Sequence, residues 1–183
     1  MKIEALEIPE VRLATPKRFS DSRGHFMETW NERDFLEAGI AARFVQDNQS
    51  LSARRGTVRG LHYQRPPFAQ AKLVRVLCGA ILDVAVDARK ASPTYGRWVS
   101  ARLDAEGGAA LFVPAGFLHG FVTLEKDTVV AYKFDAYYEK AADGAVRWND
   151  PALAIDWGIA EEEAVLSEKD AAALPWSAFE SPF

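Results

Sequence analysis

Ala71-Lys72-Leu73-Val74-Arg75-Val76-Leu77, then Cys78-Gly79, then Ala80-Ile81-Leu82-Asp83-Val84-Ala85-Val86-Asp87 is the stretch whose reading decides the fold. Two short runs rich in Val, Leu and Ile, parted by a glycine, read as consecutive strands. The same signal recurs outward on both sides. Arg43 to Leu51 and Thr57 to Gln64 precede it; Trp98 to Leu103, Ala110 to Val113, His119 to Leu124 and Thr128 to Phe134 follow. Turn formers separate the runs: Gly56, Arg65-Pro66-Pro67, Ser92-Pro93-Thr94-Tyr95-Gly96, Glu106-Gly107-Gly108, Pro114-Ala115-Gly116 and Glu125-Lys126-Asp127. Short strands at this spacing predict a mainly β sandwich or barrel of mostly antiparallel strands, with few helices. One helix is expected over 31–39, where Asn31 is an N-cap candidate, Glu32 and Asp34 sit in the first turn and Gly39 stops it. The tail after Pro151 reads as a helical or irregular flap with a second cap at Ser167.

The 183 residues fit one domain, 1–183, with no repeat or low-complexity linker to divide it. About 70% of the unfolded surface can be buried at this length, so neither disulfides nor a structural metal is required. Cys78 is the single cysteine, and its place in an apolar run predicts a buried, inert thiol. With 22 basic and 26 acidic side chains the net charge is −4, which argues against a large basic face for nucleic acid. Met1 to Glu7 carries two acids and no apolar stretch, and no run approaches a membrane span. A soluble, cytoplasmic protein without membrane contact is expected. Five Trp and eleven Phe point to an aromatic-rich β core or a stacking site.

Histidine is scarce: His25, His62 and His119 are the full set. A metal site in a cupin-type barrel takes two histidines one residue apart on a strand, and here Gln64 occupies the position two beyond His62. No metal and no other cofactor is expected. His62 alone reads equally as a satisfied core residue or a functional one. Its neighbours Arg59, Tyr63, Gln64 and Lys72 put polar groups on adjacent strands, where inward charge marks a site and outward charge a solvated face. Strict alternation places Arg59 and His62 on opposite faces unless Gly60 holds a bulge. Phe19 to Glu28 offers Arg23 for phosphate, Phe26 for stacking and Glu28 as an acceptor, or is an ordinary loop. Period-2 reading puts Tyr132, Phe134, Ala136 and Tyr138 on one face, either a cavity wall or a plain aromatic face. Asp170 fits a capping box begun by Ser167.

Arg59-Gly60-Leu61-His62-Tyr63-Gln64, Lys72-Leu73-Val74, Asp83 to Asp87 with Ser92 to Gly96, Pro114 to Phe121, Trp148-Asn149-Asp150-Pro151 and Leu166 to Asp170 stand in order along the chain. In this register they resemble the dTDP-4-dehydrorhamnose 3,5-epimerases. The resemblance implies a cupin-type jelly-roll double-sheet barrel, a homodimer, and a dTDP-linked 4-keto-6-deoxy sugar as substrate. It implies His62 as proton acceptor, Asp170 as its partner, Tyr132 as proton donor and Lys72 beside the substrate. Tyr138 would stack on the thymine. Arg23, Phe26, Glu28, Gln46, Asn48, Arg59, His119, Asp143 and Lys169 would hold the nucleotide, its diphosphate or the sugar. The family commonly has glutamate where this chain has Asp143, one methylene shorter, and alanine where it has Leu118. The chemistry fits these residue types. A 4-keto group acidifies the hydrogens on C3 and C5, so removal needs a poised base, a positive partner for the enolate oxygen and a second acid on the opposite face. Rival readings are an epimerase that inverts C3 or C5 alone, a metal-dependent cupin oxygenase, and a non-catalytic nucleotide-sugar binding module.

Overall fold

The computed structural model describes residues 1–183 and places thirteen strands in three sheets. In chain order they are β1 (Lys2–Ala5), β2 (Arg12–Thr15), β3 (Arg18–Asp21), β4 (Gly24–Met27), β5 (Gln46–Ser52), β6 (Val58–Gln64), β7 (Lys72–Cys78), β8 (Ala80–Asp87), β9 (Trp98–Asp104), β10 (Ala110–Val113), β11 (Phe117–Thr123), β12 (Thr128–Phe134) and β13 (Asp143–Ala145). Two short helices, α1 (Glu32–Glu37) and α2 (Glu168–Ala171), complete the regular structure with two single 3₁₀ turns. All strand pairings are antiparallel, in the orders β1-β2-β10-β7-β12-β5 and β13-β6-β11-β8-β9, with β3 and β4 forming a separate hairpin.

The two large sheets pack through one apolar layer. Val74, Val76, Leu111, Val113 and Val130 from the six-stranded sheet meet Ile81, Ala85, Val99, Leu103, Phe117 and Phe121 from the five-stranded one. Each of the Val, Leu, Ile and Phe side chains contributes about 1.5–3 kcal/mol on leaving water. The five-stranded sheet is covered on its other face as well. Val84, Val86, Leu118 and Val122 lie under Trp148, Leu153, Trp157 and Phe179 of the C-terminal tail. Burial on both faces explains why β8 reads as a continuous apolar run rather than an alternating one. Two tryptophans of this layer find acceptors: Trp98 and Trp157 donate from Nε1 to the carbonyls of Leu153 and Trp148, each at 2.9 Å.

The expected helix forms as α1, with the Asn31 side chain accepting from the Arg33 N–H at 3.0 Å. The Ser167 cap forms too, and the tail is irregular, with the expected flap held by α2 and a bridge from Val165 to Thr57. Cys78 departs from expectation. It is exposed, because β7 ends there at the Gly79 turn and its apolar run leaves the core before the turn. The Tyr132-to-Tyr138 face also ends early. β12 stops at Phe134, where Asp135 turns its carboxylate to accept the Ala71 N–H at 2.6 Å, so Tyr138 stands outside the strand and 56% exposed. No helix is long and apolar enough to cross a membrane.

Candidate active site

A cavity of about 460 Å³ lies between the large sheets, lined from β5, β6, β7, β11, β12 and the tail. Asn48, Arg59, His62, Lys72, His119, Tyr132 and Asp170 all face it. The alternation problem at Arg59 and His62 is resolved by a bulge. His119 pairs with His62 while Phe121 pairs with Arg59, so β6 spends one more residue than β11 over the same span. Val58 and Leu61 therefore pack outward under the tail while Arg59 and His62 both turn inward. Glycine is required at the bulge, since Gly60 has φ +147° and a Cβ there would meet the Cα of Gly120 at 2.4 Å.

His62 and Asp170 form a dyad. Nε2 of His62 lies 2.5 Å from Oδ1 of Asp170, and the carboxylate accepts, so the ring proton sits on Nε2 and the lone pair on Nδ1. Asp170 is 4% exposed, and its Oδ2 accepts from the Ser167 hydroxyl at 2.8 Å. Burial pushes the Asp170 carboxyl up, but the His62 hydrogen bond and charge, Ser167 and Lys169 outweigh it and leave the group below its ordinary value. The serine caps α2 by accepting the Asp170 N–H at 3.1 Å. Ser167 is thus the cap of α2, and Asp170, at the third helical position, bonds that cap's hydroxyl and aims its other oxygen at His62.

Across the cavity, Tyr132 on β12 exchanges a hydrogen bond of 2.8 Å with the Ser50 hydroxyl on β5. Burial drives its phenol up to about 12, against the pull of Ser50 and Arg59, so the group is a neutral acid at physiological pH. Lys72 on β7 makes no ion pair, and its Nζ sits 6.0 Å from the Phe134 ring centroid. Burial lowers its ammonium to about 8, with Asp83 and Asp143 opposing. Arg59 is anchored by Ser52 Oγ at 3.2 Å and the Leu51 carbonyl at 3.1 Å. His119 donates from Nε2 to Asp83 Oδ1 at 2.7 Å, and burial holds it below the usual imidazole range. No group of three His, Cys, Asp or Glu side chains is placed to hold a metal ion.

Other expected site residues stand apart from the cavity wall. Tyr138, Asp143 and Lys169 form a rim network in which Lys169 pairs with Asp143 and the Tyr138 hydroxyl donates to Asp143 at 3.4 Å. Gln46 accepts from the Tyr138 N–H at 3.0 Å and donates to Asn48 at 2.9 Å. Arg23, Phe26 and Glu28 lie on or beside the exposed β3–β4 hairpin, outside the cavity of their own chain. Ser50, Ser167 and Asp83 went unread as site residues. Only Asp83 carried a signal: a carboxylate inside a Val/Leu strand needs a partner.

The profile of the family described as dTDP-4-dehydrorhamnose 3,5-epimerase matches residues 5–178. This chain belongs to that family. The epimerase of Sinorhizobium fredii is 54% identical over 170 residues, covering 93% of this chain and 87% of that protein. The crystal structure of the Legionella pneumophila epimerase in complex with dTDP-4-keto-L-rhamnose superposes with a TM-score of 0.92 at 42% identity, over 98% of this chain and 94% of that one. ChmJ, a 3'-monoepimerase from Streptomyces bikiniensis solved with dTDP-quinovose, gives a TM-score of 0.87 at 33% identity, over 95% and 87%.

Proposed function

We propose that this chain is the 3,5-epimerase that converts dTDP-4-dehydro-6-deoxy-D-glucose to dTDP-4-dehydro-L-rhamnose, using side-chain acid–base chemistry. The observation that carries the reading is a base and an acid on facing sheets of one cavity: the His62–Asp170 dyad on one side and Tyr132 on the other. Nδ1 of His62 takes the proton from carbon, and the imidazolium so formed is steadied by Asp170. The enolate oxygen meets the Lys72 ammonium, assisted by Arg59. The Tyr132 phenol delivers a proton from the opposite face, which inverts the centre. Exchange with solvent resets both groups before the second carbon is treated.

The exposed hairpin is read as part of a partner's site. Arg23 stands free except for its own Asp21, Phe26 is 72% exposed, and neither serves the protomer's core. In a homodimer these groups would hold the diphosphate and base while Tyr138, at the rim, stacks on the thymine. A single jelly-roll domain closing as a barrel around the sugar, in the cytoplasm, completes the reading. The test is product identity by NMR. L-rhamno product from the 4-keto-D-sugar supports the assignment, inversion at one carbon alone moves it to a mono-epimerase, and no conversion rejects it. Sedimentation at twice the 20.3 kDa chain mass is expected.

A further inference from the structure

Asp83 is fully buried on β8, and its two oxygens are treated unequally. Oδ1 accepts from His119, whereas Oδ2 is buried with no hydrogen-bond partner. A buried carboxylate oxygen without a donor is destabilising, so its presence asks for a compensating charge. Two other cations nearby are committed elsewhere: Arg59 to Ser52 and Leu51, Lys169 to Asp143. Lys72 has no hydrogen bond or ion pair of its own and lines the same cavity as His119. The groups whose charge bears on Lys72 are Asp83 from β8, Asp143 from β13 and Lys169 from α2, and those that share its cavity are His119 from β11, His62 and Arg59 from β6, Tyr132 from β12 and Asp170 from α2, the last committed to His62 and Ser167. Among them Asp83 has an unshared anionic oxygen, while Asp143 is tied to Lys169.

We propose that Asp83, which does not line the cavity, is a positioning residue that holds Lys72 as an ammonium and His119 as the Nε2–H tautomer beside the substrate. The inference rests on the epimerase reading for its catalytic meaning. One carboxylate serves both neighbours: Oδ1 fixes the ring, and Oδ2 supplies the field that keeps the lysine charged where burial alone would discharge it. Electrostatics agrees, since burial lowers Lys72 and Asp83 is the largest influence opposing that fall. An enolate oxygen would otherwise meet a neutral amine.

The test is a ¹³C NMR titration of the Lys72 side-chain methylene in the substrate-free protein, assigned with Lys72→Arg. In Asp83→Asn the Lys72 midpoint should fall by about one unit or more, the scale for losing a nearby opposite charge. The alkaline limb of kcat/KM should move down with it. A Lys72 midpoint that stays put, or activity lost equally at every pH, would overturn the proposal and leave Asp83 a structural residue. Should Asp83→Asn fail to fold, Lys72→Met reads the same coupling from the other side. His119 then loses both the direct repulsion of Lys72 and its competition for Asp83, and its midpoint should rise; an unmoved His119 would count against the proposal. Absence of wild-type turnover on the 4-keto sugar would instead reject the epimerase reading, while the NMR shift still decides the coupling.

Discussion

Replacing Asp170 with asparagine probes the dyad without changing shape. The side-chain amide can still accept from Ser167 through its oxygen, and the backbone N–H still donates to the Ser167 cap. What remains to face His62 is an NH₂ group. It donates to Nε2, moves the ring proton to Nδ1, and so removes the lone pair that takes the carbon acid's proton. The lost charge adds to this. An imidazolium and a carboxylate about 4 Å apart attract by about 4 kcal/mol at an effective dielectric near 20. His62 is 29% exposed, and discounting for that screening leaves about 3 kcal/mol, or roughly 10²-fold in rate. The assay is kcat per folded molecule for the 4-keto sugar, with thermal unfolding and dTDP binding measured beside it. The expected result is a kcat loss of about 10² or more with dTDP affinity within several-fold. Full turnover per folded molecule, with only a lowered Tm, would show that Asp170 supports the Ser167 cap and nothing more.

Tyr132→Phe in heavy water should retain deuterium wash-in at C3 or C5 while epimer formation falls by about 10²-fold, because His62 can return a deuteron to the face it came from. Equal loss of exchange and inversion would reassign the tyrosine to enolate binding. The pH profile of kcat/KM should fall on the alkaline side near pH 8, since a base with a depressed pKa gives up its proton as pH rises through about 8; a flat profile to pH 10 would detach Lys72 from the chemistry. Gly60→Ala should cost about 2 kcal/mol or more and lower activity further, because a Cβ meets the Gly120 backbone and the bulge that aims His62 cannot persist, as a melting curve would show. Asp87 is fully buried and bound by Arg89 at 2.8 Å, Ser92 at 2.5 Å and Thr94 at 2.6 Å, so Asp87→Ala should cost about 3 kcal/mol in urea unfolding without touching the cavity. Burial raises the Asp87 carboxyl, yet those donors bring it down to about 2. Its stabilising share is therefore complete above pH 4 and lost as pH falls through about 2.

Strands buried by their own apolar content were legible. Ala80 to Asp87, Ala110 to Val113 and Thr128 to Phe134 fall where Val, Leu and Phe concentrate between turn residues. β1, β3 and β4 were not, because Lys2–Ala5 and Arg18–Asp21 are short and largely exposed, and pairing rather than burial makes them strands. The His62, Asp170, Tyr132 and Lys72 cluster was legible through resemblance, while residue chemistry alone left His62 and Asp170 open between structural and functional roles. Two features arise only from contacts between residues distant in the chain. The end of β12 at Phe134 depends on the Asp135 side chain taking the Ala71 N–H, a contact between residues 64 positions apart. The second role of Asp83 depends on which of its oxygens finds a donor.

In the proposed function, one cavity abstracts and returns protons at two carbons of a nucleotide-linked 4-keto sugar through His62. Incubation of the chain with dTDP-4-dehydro-6-deoxy-D-glucose in heavy water, read by NMR and mass, tests it most directly. The expected result is one deuterium at C3 and one at C5 of an L-rhamno product, with both lost in His62→Asn. Product formed without deuterium at either carbon, or deuterium incorporated undiminished by His62→Asn, would contradict it.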